Sequence, residues 1–415
     1  MSGARLGDAL TLPCGQEVKN RLLKSAMSEG LGARGHLPDG RLGRLYRRWA
    51  EGGTGVLVTG NVMIDPRALG EPGNVVLEAG APLEAFAAWA EAASADETKV
   101  WMQLNHPGKQ AFPLRNPDPV APSAIGFEGP LKKAFPVPRA LEASEIREQI
   151  ERFATAAALA EEAGFHGAQI HGAHGYLVSQ FLSPRHNRRE DEWGGSLENR
   201  MRFALEIFRA IRARVRRGFA VTIKLNSADF QRGGFSEEEA LEVVARLGEE
   251  GIDLIEISGG TYEAPAMTGS RRKEPIAEST RAREAYFLDF ARKAREATAA
   301  PLALTGGFRT AAVMEEALAS GAIDLVGLAR PLAMDPDASR KLLAGEATVP
   351  VPARVGTGLR ALDTLLMFSV TYYEAQLSRM AAGKEPDPGL SPWRVAAGLL
   401  GHHGLHALRP RRARG

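Results

Sequence analysis

A chain of 415 residues with 44% hydrophobic and 25% charged residues has the make-up of a globular protein, not of a fibrous or disordered one. Its 52 Lys and Arg against 50 Asp and Glu leave a net charge of +2, which makes no electrostatic case for binding nucleic acid. The single cysteine, Cys14, excludes an internal disulfide framework, a Cys-rich zinc site and a Cys-ligated iron–sulfur cluster. A reducing cytoplasm suits such a chain. The opening MSGARLGDAL lacks the apolar run of a signal peptide, and no stretch approaches the roughly 20 apolar residues that span a bilayer, so no membrane partner is expected.

In chain order, DALTLPCGQEVK within residues 8–28 reads as a β-hairpin, and NRLLKSAM follows as an apolar strand. Strands are then predicted at 55–60, 99–105, 167–172, 220–226, 252–258, 301–305 and 323–328, which with 21–28 makes eight. Helices are predicted between them at 41–52, 82–95, 144–164, 197–217, 236–250, 283–299 and 310–320, with Ser236 and Glu239 forming a capping box. Short apolar strands alternating with amphipathic helices imply an α/β fold whose parallel sheet is buried on both faces. The count favours a closed (β/α)8 TIM barrel over an open doubly wound sheet. The proline-punctuated stretch 105–143 is expected to be a long loop after the third barrel strand, of the kind that covers a site. Residues 1–350 are expected to form the barrel. Residues 351–415 are expected to form a helical extension packed on it, with helices at 357–382 and 393–400 and a frayed, solvated tail.

Candidate chemistry gathers at the strand ends, where barrels keep it. QIHGAHGYL leaves its strand at Gly172 and presents His171, His174 and Tyr176 within six residues. Such donors suit gripping a carbonyl oxygen and delivering a proton beside it. A lone histidine is more often a satisfied core residue, and two histidines three apart lack the further ligands a metal needs, so no metal is expected. Ser25-Ala26-Met27-Ser28 end the first strand, and Gln103 and His106 the third. Gly306-Gly307 after the seventh strand and Ala329-Arg330 after the eighth suit a phosphate, though a glycine pair alone also reads as a plain turn. Lys224 is a lysine in a buried strand, a rare choice unless paired or functional. It reads as a cation beneath a flavin, as a Schiff-base lysine of an aldolase, or as the partner of a barrel carboxylate such as Glu256.

The motif IHGAHGYL…FLSP..N.R.D.WGGS.ENR within 170–200 closely resembles the signature of the Old Yellow Enzyme family of FMN-dependent NADH:flavin oxidoreductases. The resemblance spans about 20–345 and includes NRLLKSAMS, QLNHPGKQ, the GGFRT turn and the closing run around Arg330. It implies non-covalent FMN over the C-terminal mouth of the barrel, lined by Ser25, Ala26, Met27, Ser28, Asn61 and His171. Ser28 would stand near the reactive N5/O4 edge, Gln103 at the pyrimidine edge and Lys224 at N1/O2. Gly306, Gly307, Ala329 and Arg330 would hold the phosphate. His171 and His174 would grip the substrate's oxygen and Tyr176 would donate the proton.

The activity so implied is hydride uptake from NADH or NADPH and reduction of the C=C bond of an α,β-unsaturated carbonyl or similar electron-poor alkene. Transfer of electrons to oxygen or a partner stays open, as do the aldolase reading, a barrel without flavin, and a homo-oligomeric state. Ala26, Lys109, Lys224 and Ala329 depart from the usual proline, arginine, arginine and glycine, and Ser28 stands where cysteine or threonine commonly tunes flavin potential. The four-cysteine cluster of longer relatives is absent, which groups the chain with single-domain members.

Overall fold

Along a strand, successive side chains point to opposite faces, so each apolar run sorts itself into an inner and an outer row once the sheet closes. The computed structural model of the protein describes residues 3–113, 116, 118–128, 132, 135–258, 276–349, 355–359, 362–363 and 367–403. An antiparallel hairpin, β1 (Leu10–Thr11) with β2 (Glu17–Val18), precedes the barrel. The first two barrel strands are β3 (Leu22–Lys24) and β4 (Val56–Val58). Two short strands, β5 (Val62–Met63) and β6 (Val75–Val76), then extend the sheet from β7 (Lys99–Asn105). After a two-residue parallel ladder, β8 (Val120–Ala121) with β9 (Arg139–Ala140), come β10 (Gly167–Gly172), β11 (Ala220–Asn226), β12 (Leu254–Ser258), β13 (Leu302–Thr305) and β14 (Leu325–Leu328).

Parallel pairing runs from β10 through β14 to β3, β4 and β7, and β7 pairs with β10. That last pairing closes the ring and excludes the open, doubly wound sheet. The connecting helices are α1 (Gly40–Glu51), α2 (Glu84–Ala93), α3 (Ala143–Glu162), the short α4 (Leu177–Leu182), α5 (Leu197–Arg214), α6 (Glu237–Glu249), α7 (Ile276–Ala297) and α8 (Ala311–Ala319). After β14 come α9 (Arg330–Met334), α10 (Ala338–Leu343), α11 (Phe368–Ala381) and α12 (Pro392–His403). The Ser236–Glu239 capping box opens α6 as its sequence predicts. Among the described residues no helix is long and apolar enough to cross a membrane.

Two apolar clusters follow from the alternation. Leu22, Leu57, Val100, Ile170, Ile223 and their neighbours face outward and pack under the helices. Leu23, Val56, Val58, Trp101, Leu254, Ala303 and Leu325 face inward and fill the lower barrel, and Leu12, Cys14 and Val18 of the hairpin region join them. Burying such a layer contributes roughly 25 cal/mol for each Å² of apolar surface removed from water. Above this plug the inward residues turn polar, and the site begins there.

Two element boundaries differ from the sequence expectation. The first strand ends at Lys24, four residues before its predicted limit, so Ser25–Ser28 form the mouth and not the ladder. Residues 357–359 are not helical: Asp363 Oδ1 accepts from the Thr357 N–H at 2.8 Å and its hydroxyl at 2.7 Å, folding a turn around Gly358. Residues 362 and 363 are helical, and helix α11 starts at Phe368, after Met367 in a left-handed conformation (φ 46°). Local side-chain bonds of this kind compete with helix extension.

Candidate active site

The inner row of the upper barrel consists of Ser25, Gln103, Gln169, His171, Lys224, Glu256 and Thr305, all but Thr305 buried. A polar layer in such surroundings must satisfy itself. Lys224 Nζ lies 2.8 Å from Glu256 Oε1. Glu256 also accepts from the Thr305 hydroxyl at 2.6 Å and from Gln169 Nε2 at 2.8 Å. The chain continues on both sides, from Thr305 Oγ to Ser25 Oγ at 2.7 Å and from Gln169 Oε1 to Gln103 Nε2 at 2.8 Å. Burial pushes the Glu256 carboxyl up, but Lys224, Thr305 and Gln169 outweigh it and hold the group below its usual range. At Gly327 a Cβ would come within 1.8 Å of Thr305 Oγ1, so only glycine lets this chain cross the inner wall.

Of the three readings of Lys224, the carboxylate partnership is therefore present.

At the end of β10 the two imidazoles and the phenol converge. The His171 and His174 rings lie edge-on with centroids 5.1 Å apart, and Tyr176 lies 4.7 Å from His171. His174 holds φ at 61°, a left-handed conformation that non-glycine residues seldom adopt. Its backbone is fixed from both sides, since its N–H donates to Asn226 Oδ1 at 3.2 Å and its carbonyl accepts from Gln110 Nε2 at 2.9 Å. A linear chain joins Asn61 Oδ1 to His171 Nδ1 at 3.0 Å, His171 Nε2 to His174 Nδ1 at 3.2 Å, and His174 Nε2 to Ser258 Oγ at 3.0 Å. With a carbonyl oxygen at the Asn61 end, His171 donates through Nδ1, His174 donates to His171, and the Ser258 hydroxyl donates to His174. Burial, followed by the neighbouring positive groups, keeps both rings neutral: His174 is down to about 3 and His171 well below its ordinary value.

The remaining candidates fall around the same mouth, except His106. It is buried elsewhere, accepts from the Gly108 N–H at 3.1 Å, and takes no part in the trio. Ala26 and Met27 are half-buried on the segment after β3, where Gly60 passes so close that a Cβ would meet the Met27 carbonyl at 2.6 Å. Ser28 donates to Glu374 Oε1 at 2.6 Å. Gly306 and Gly307 follow β13 with φ of 132° and 86°, conformations open to glycine. The pairing of Thr305 with Gly327 brings them beside Ala329 and Arg330 at the end of β14.

Several side chains of this site were not singled out by sequence reasoning: Gln169, Thr305, Asn226 and Ser258 inside the barrel, and Glu71, Tyr373 and Glu374 outside it. The first four carry a readable signal, because each alternates in step with an inward neighbour already identified, as in Thr222, Lys224 and Asn226 of VTIKLN.

The profile of the "NADH:flavin oxidoreductase / NADH oxidase family" matches residues 13–348. The chain belongs to this family. It is 41% identical over 350 residues to the NADH-dependent flavin oxidoreductase iliE of Hypocrea jecorina, covering 79% of this chain and 86% of the relative. Among solved structures, a 2-naphthoyl-CoA reductase complex superposes with a TM-score of 0.74 at 28% identity, over 83% of this chain and 53% of that one. Morphinone reductase in complex with tetrahydroNAD superposes at 0.68 with 25% identity, over 84% and 93%. The chain is thus a flavin oxidoreductase of the Old Yellow Enzyme group, on a TIM barrel.

The mouth fits such a group. It offers amides at Gln103, Gln169 and Asn61, hydroxyls at Ser25 and Thr305, a cation at Lys224, and backbone freed of side chains beside an arginine at Gly306, Gly307 and Arg330. These are the chemistries that a uracil-like ring edge and a phosphate take.

Proposed function

We propose that the protein binds FMN at this mouth and reduces the C=C bond of an α,β-unsaturated carbonyl or a similar electron-poor alkene, with NADH or NADPH as the source of hydride. The observation that carries the reading is the convergence of His171, His174 and Tyr176, with ring centroids 5.1 and 4.7 Å apart, on one strand end beside the polar layer. FMN, when bound, supplies the hydride relay between nicotinamide and alkene; the rest falls to the protein. Gln103, Lys224 and the Ser25–Ser28 segment would hold the ring system, and Gly306, Gly307, Ala329 and Arg330 the phosphate.

Neutral imidazoles suit the carbonyl end of the substrate, because an N–H donor stabilises charge developing on an oxygen without first protonating it. The His174 Nδ1 hydrogen, now given to His171, is the donor that a substrate oxygen can capture, and the left-handed His174 backbone fixes its direction. Tyr176 then gives its phenolic proton to the substrate carbon next to the carbonyl, and solvent restores it. The histidines orient and polarise, while the tyrosine completes the addition.

Tyr176→Phe tests this division of labour. Stopped-flow traces are expected to show flavin reduction by nicotinamide at the wild-type rate and enone reduction slowed by about 10²-fold or more, the usual contribution of a positioned acid. Unchanged enone reduction would remove the tyrosine from the mechanism. A colourless protein that takes up no added FMN would remove the whole reading.

A further inference from the structure

The family match ends at residue 348, yet helix α11 (Phe368–Ala381) sends two adjacent side chains back to opposite ends of the mouth. Glu374 Oε1 takes the Ser28 hydroxyl hydrogen at 2.6 Å. Tyr373 is buried, its hydroxyl near enough to Arg330 to feel the guanidinium's charge, and α11 packs on α9, the short helix that begins with Arg330. The helix is anchored behind them, where its last carbonyls include Ala381 O, accepting from Arg44 Nε of α1 at 2.8 Å. Adjacent residues on one helix thus bear on both features expected to hold FMN, the segment at the ring's edge and the arginine at the phosphate.

Glu374 does not act alone. Glu71, from the segment between β5 and β6, also faces Ser28, and one of its oxygens accepts from Asn74 Nδ2 at 3.1 Å. Glu71, Asn61, Asn74 and Glu29 line one small cavity, and Asn61 is the residue that holds His171. Glu71 therefore shares a cavity with the residue that holds His171, and Glu374 reaches the same end of the site through Ser28. Two half-buried carboxyls that face one hydroxyl repel each other's charge, so ionising the second costs more than ionising the first. Burial, with Glu374 adding to it, pushes the Glu71 carboxyl up to about 8, and burial raises Glu374 as well.

We propose that α11 is a working wall of the flavin site: Glu374, with Glu71, sets the direction of the Ser28 hydroxyl and a negative charge at the ring's reactive edge, while Tyr373 sets Arg330 against the phosphate. Ser28 then turns lone pairs, not its hydrogen, toward the ring. A fixed negative charge there opposes the extra electron density of a reduced ring and lowers its potential. All three are positioning residues, and the inference rests on FMN binding at this mouth.

The two arms separate by different readouts. Full-length wild type, Tyr373→Phe and the double variant E71Q/E374Q are titrated with FMN by fluorescence, and their midpoint potentials are measured against reference dyes. Y373F is expected to weaken FMN binding about fivefold, because the hydroxyl no longer meets the arginine's charge, with the potential unchanged. E71Q/E374Q is expected to raise the reduction constant about tenfold, about 30 mV for a two-electron couple, with the affinity for oxidised FMN unchanged. If the double variant does not fold, E374Q alone is expected to move the potential in the same direction by less. Variants that keep the wild-type affinity and potential overturn the role of α11 and leave the flavin reading standing, as does parallel loss of both alongside lowered unfolding stability. Wild type that binds no FMN overturns the flavin reading itself.

Discussion

Two buried lysines, each beside a glutamate, stand on opposite faces of the barrel wall. Lys224 points inward from β11 and meets Glu256 at 2.8 Å; Lys24 points outward from β3 and meets Glu29 at 3.4 Å. The inner carboxylate gathers three donors, from Lys224, Thr305 and Gln169, and lies below its usual range. The outer one is offset only by the Tyr46 hydroxyl, the Gly60 N–H and a longer contact to Lys24, and burial wins, raising it. Lys24 spends its other bonds on the Val58 carbonyl at 2.8 Å and the Tyr46 hydroxyl at 3.1 Å, under the faces of Tyr46 and Trp49. Equal burial therefore does not make equal ion pairs. The closeness of the cation, 2.8 Å against 3.4 Å, separates the two, and the pair at the mouth is the one built to keep its charge.

The largest expected difference follows directly. Lys224→Met leaves Glu256 ionised and buried without its cation, a loss of about 3–5 kcal/mol in urea unfolding at neutral pH. Adding Glu256→Gln to Lys224→Met is expected to recover much of that loss, because it removes the orphaned charge. If the single and double variants unfold at the same urea concentration, the inner carboxylate was not carrying a charge.

The inner pair was within reach of the sequence and the outer one was not, for a physical reason. VTIKLN and IDLIEIS are neighbouring strands of one repeated unit, so strand periodicity alone puts Lys224 and Glu256 on the same face. The eight strands, seven helices and strand-end motifs were legible in the same way, since each rests on periodicity or on a motif contained in a short window. The Lys24 pair depends on where α1 lays Tyr46 and Trp49 against β3, and on the chain turning back at Glu29, which no local period encodes. Glu374 and Tyr373 are hidden for the same reason, because the docking of α11 is decided by packing more than 300 residues away in sequence, as the Ser28 contact shows. Ladders of two residues, such as β5 and β6, are too short to display an alternation at all.

Lys24→Met sharpens the comparison from the other side. Glu29, already raised, can take up a proton and keep its bond to Tyr46, so no bare charge is left behind. The remaining cost is the unpartnered Val58 carbonyl, about 1–3 kcal/mol in the same urea assay. An infrared band of a protonated carboxyl that appears in Lys24→Met and vanishes in Lys24→Met with Glu29→Gln would identify the proton's place. A penalty as large as that of Lys224→Met would erase the distinction between the two pairs.

The smallest effect is a slope. Burial, only partly offset by Glu29, brings Lys24 down to about 8 from its ordinary 10.5. Between those two values the unfolded chain holds the proton that the folded chain has released. The unfolded state then binds more protons, so stability rises with pH across this window. Below about pH 8 both states are protonated and the burial of the charge is a constant cost. The expected gain is at most about 1.4 kcal/mol per pH unit, the limit for one proton. Other groups titrate in the same window, so the quantity to measure is the difference between wild type and Lys24→Met in urea unfolding from pH 8 to 10.5. Wild type should gain on the variant as pH rises. A difference that stays flat would mean that the outer lysine keeps its proton as firmly as a free one, and that its glutamate is a full counter-charge after all.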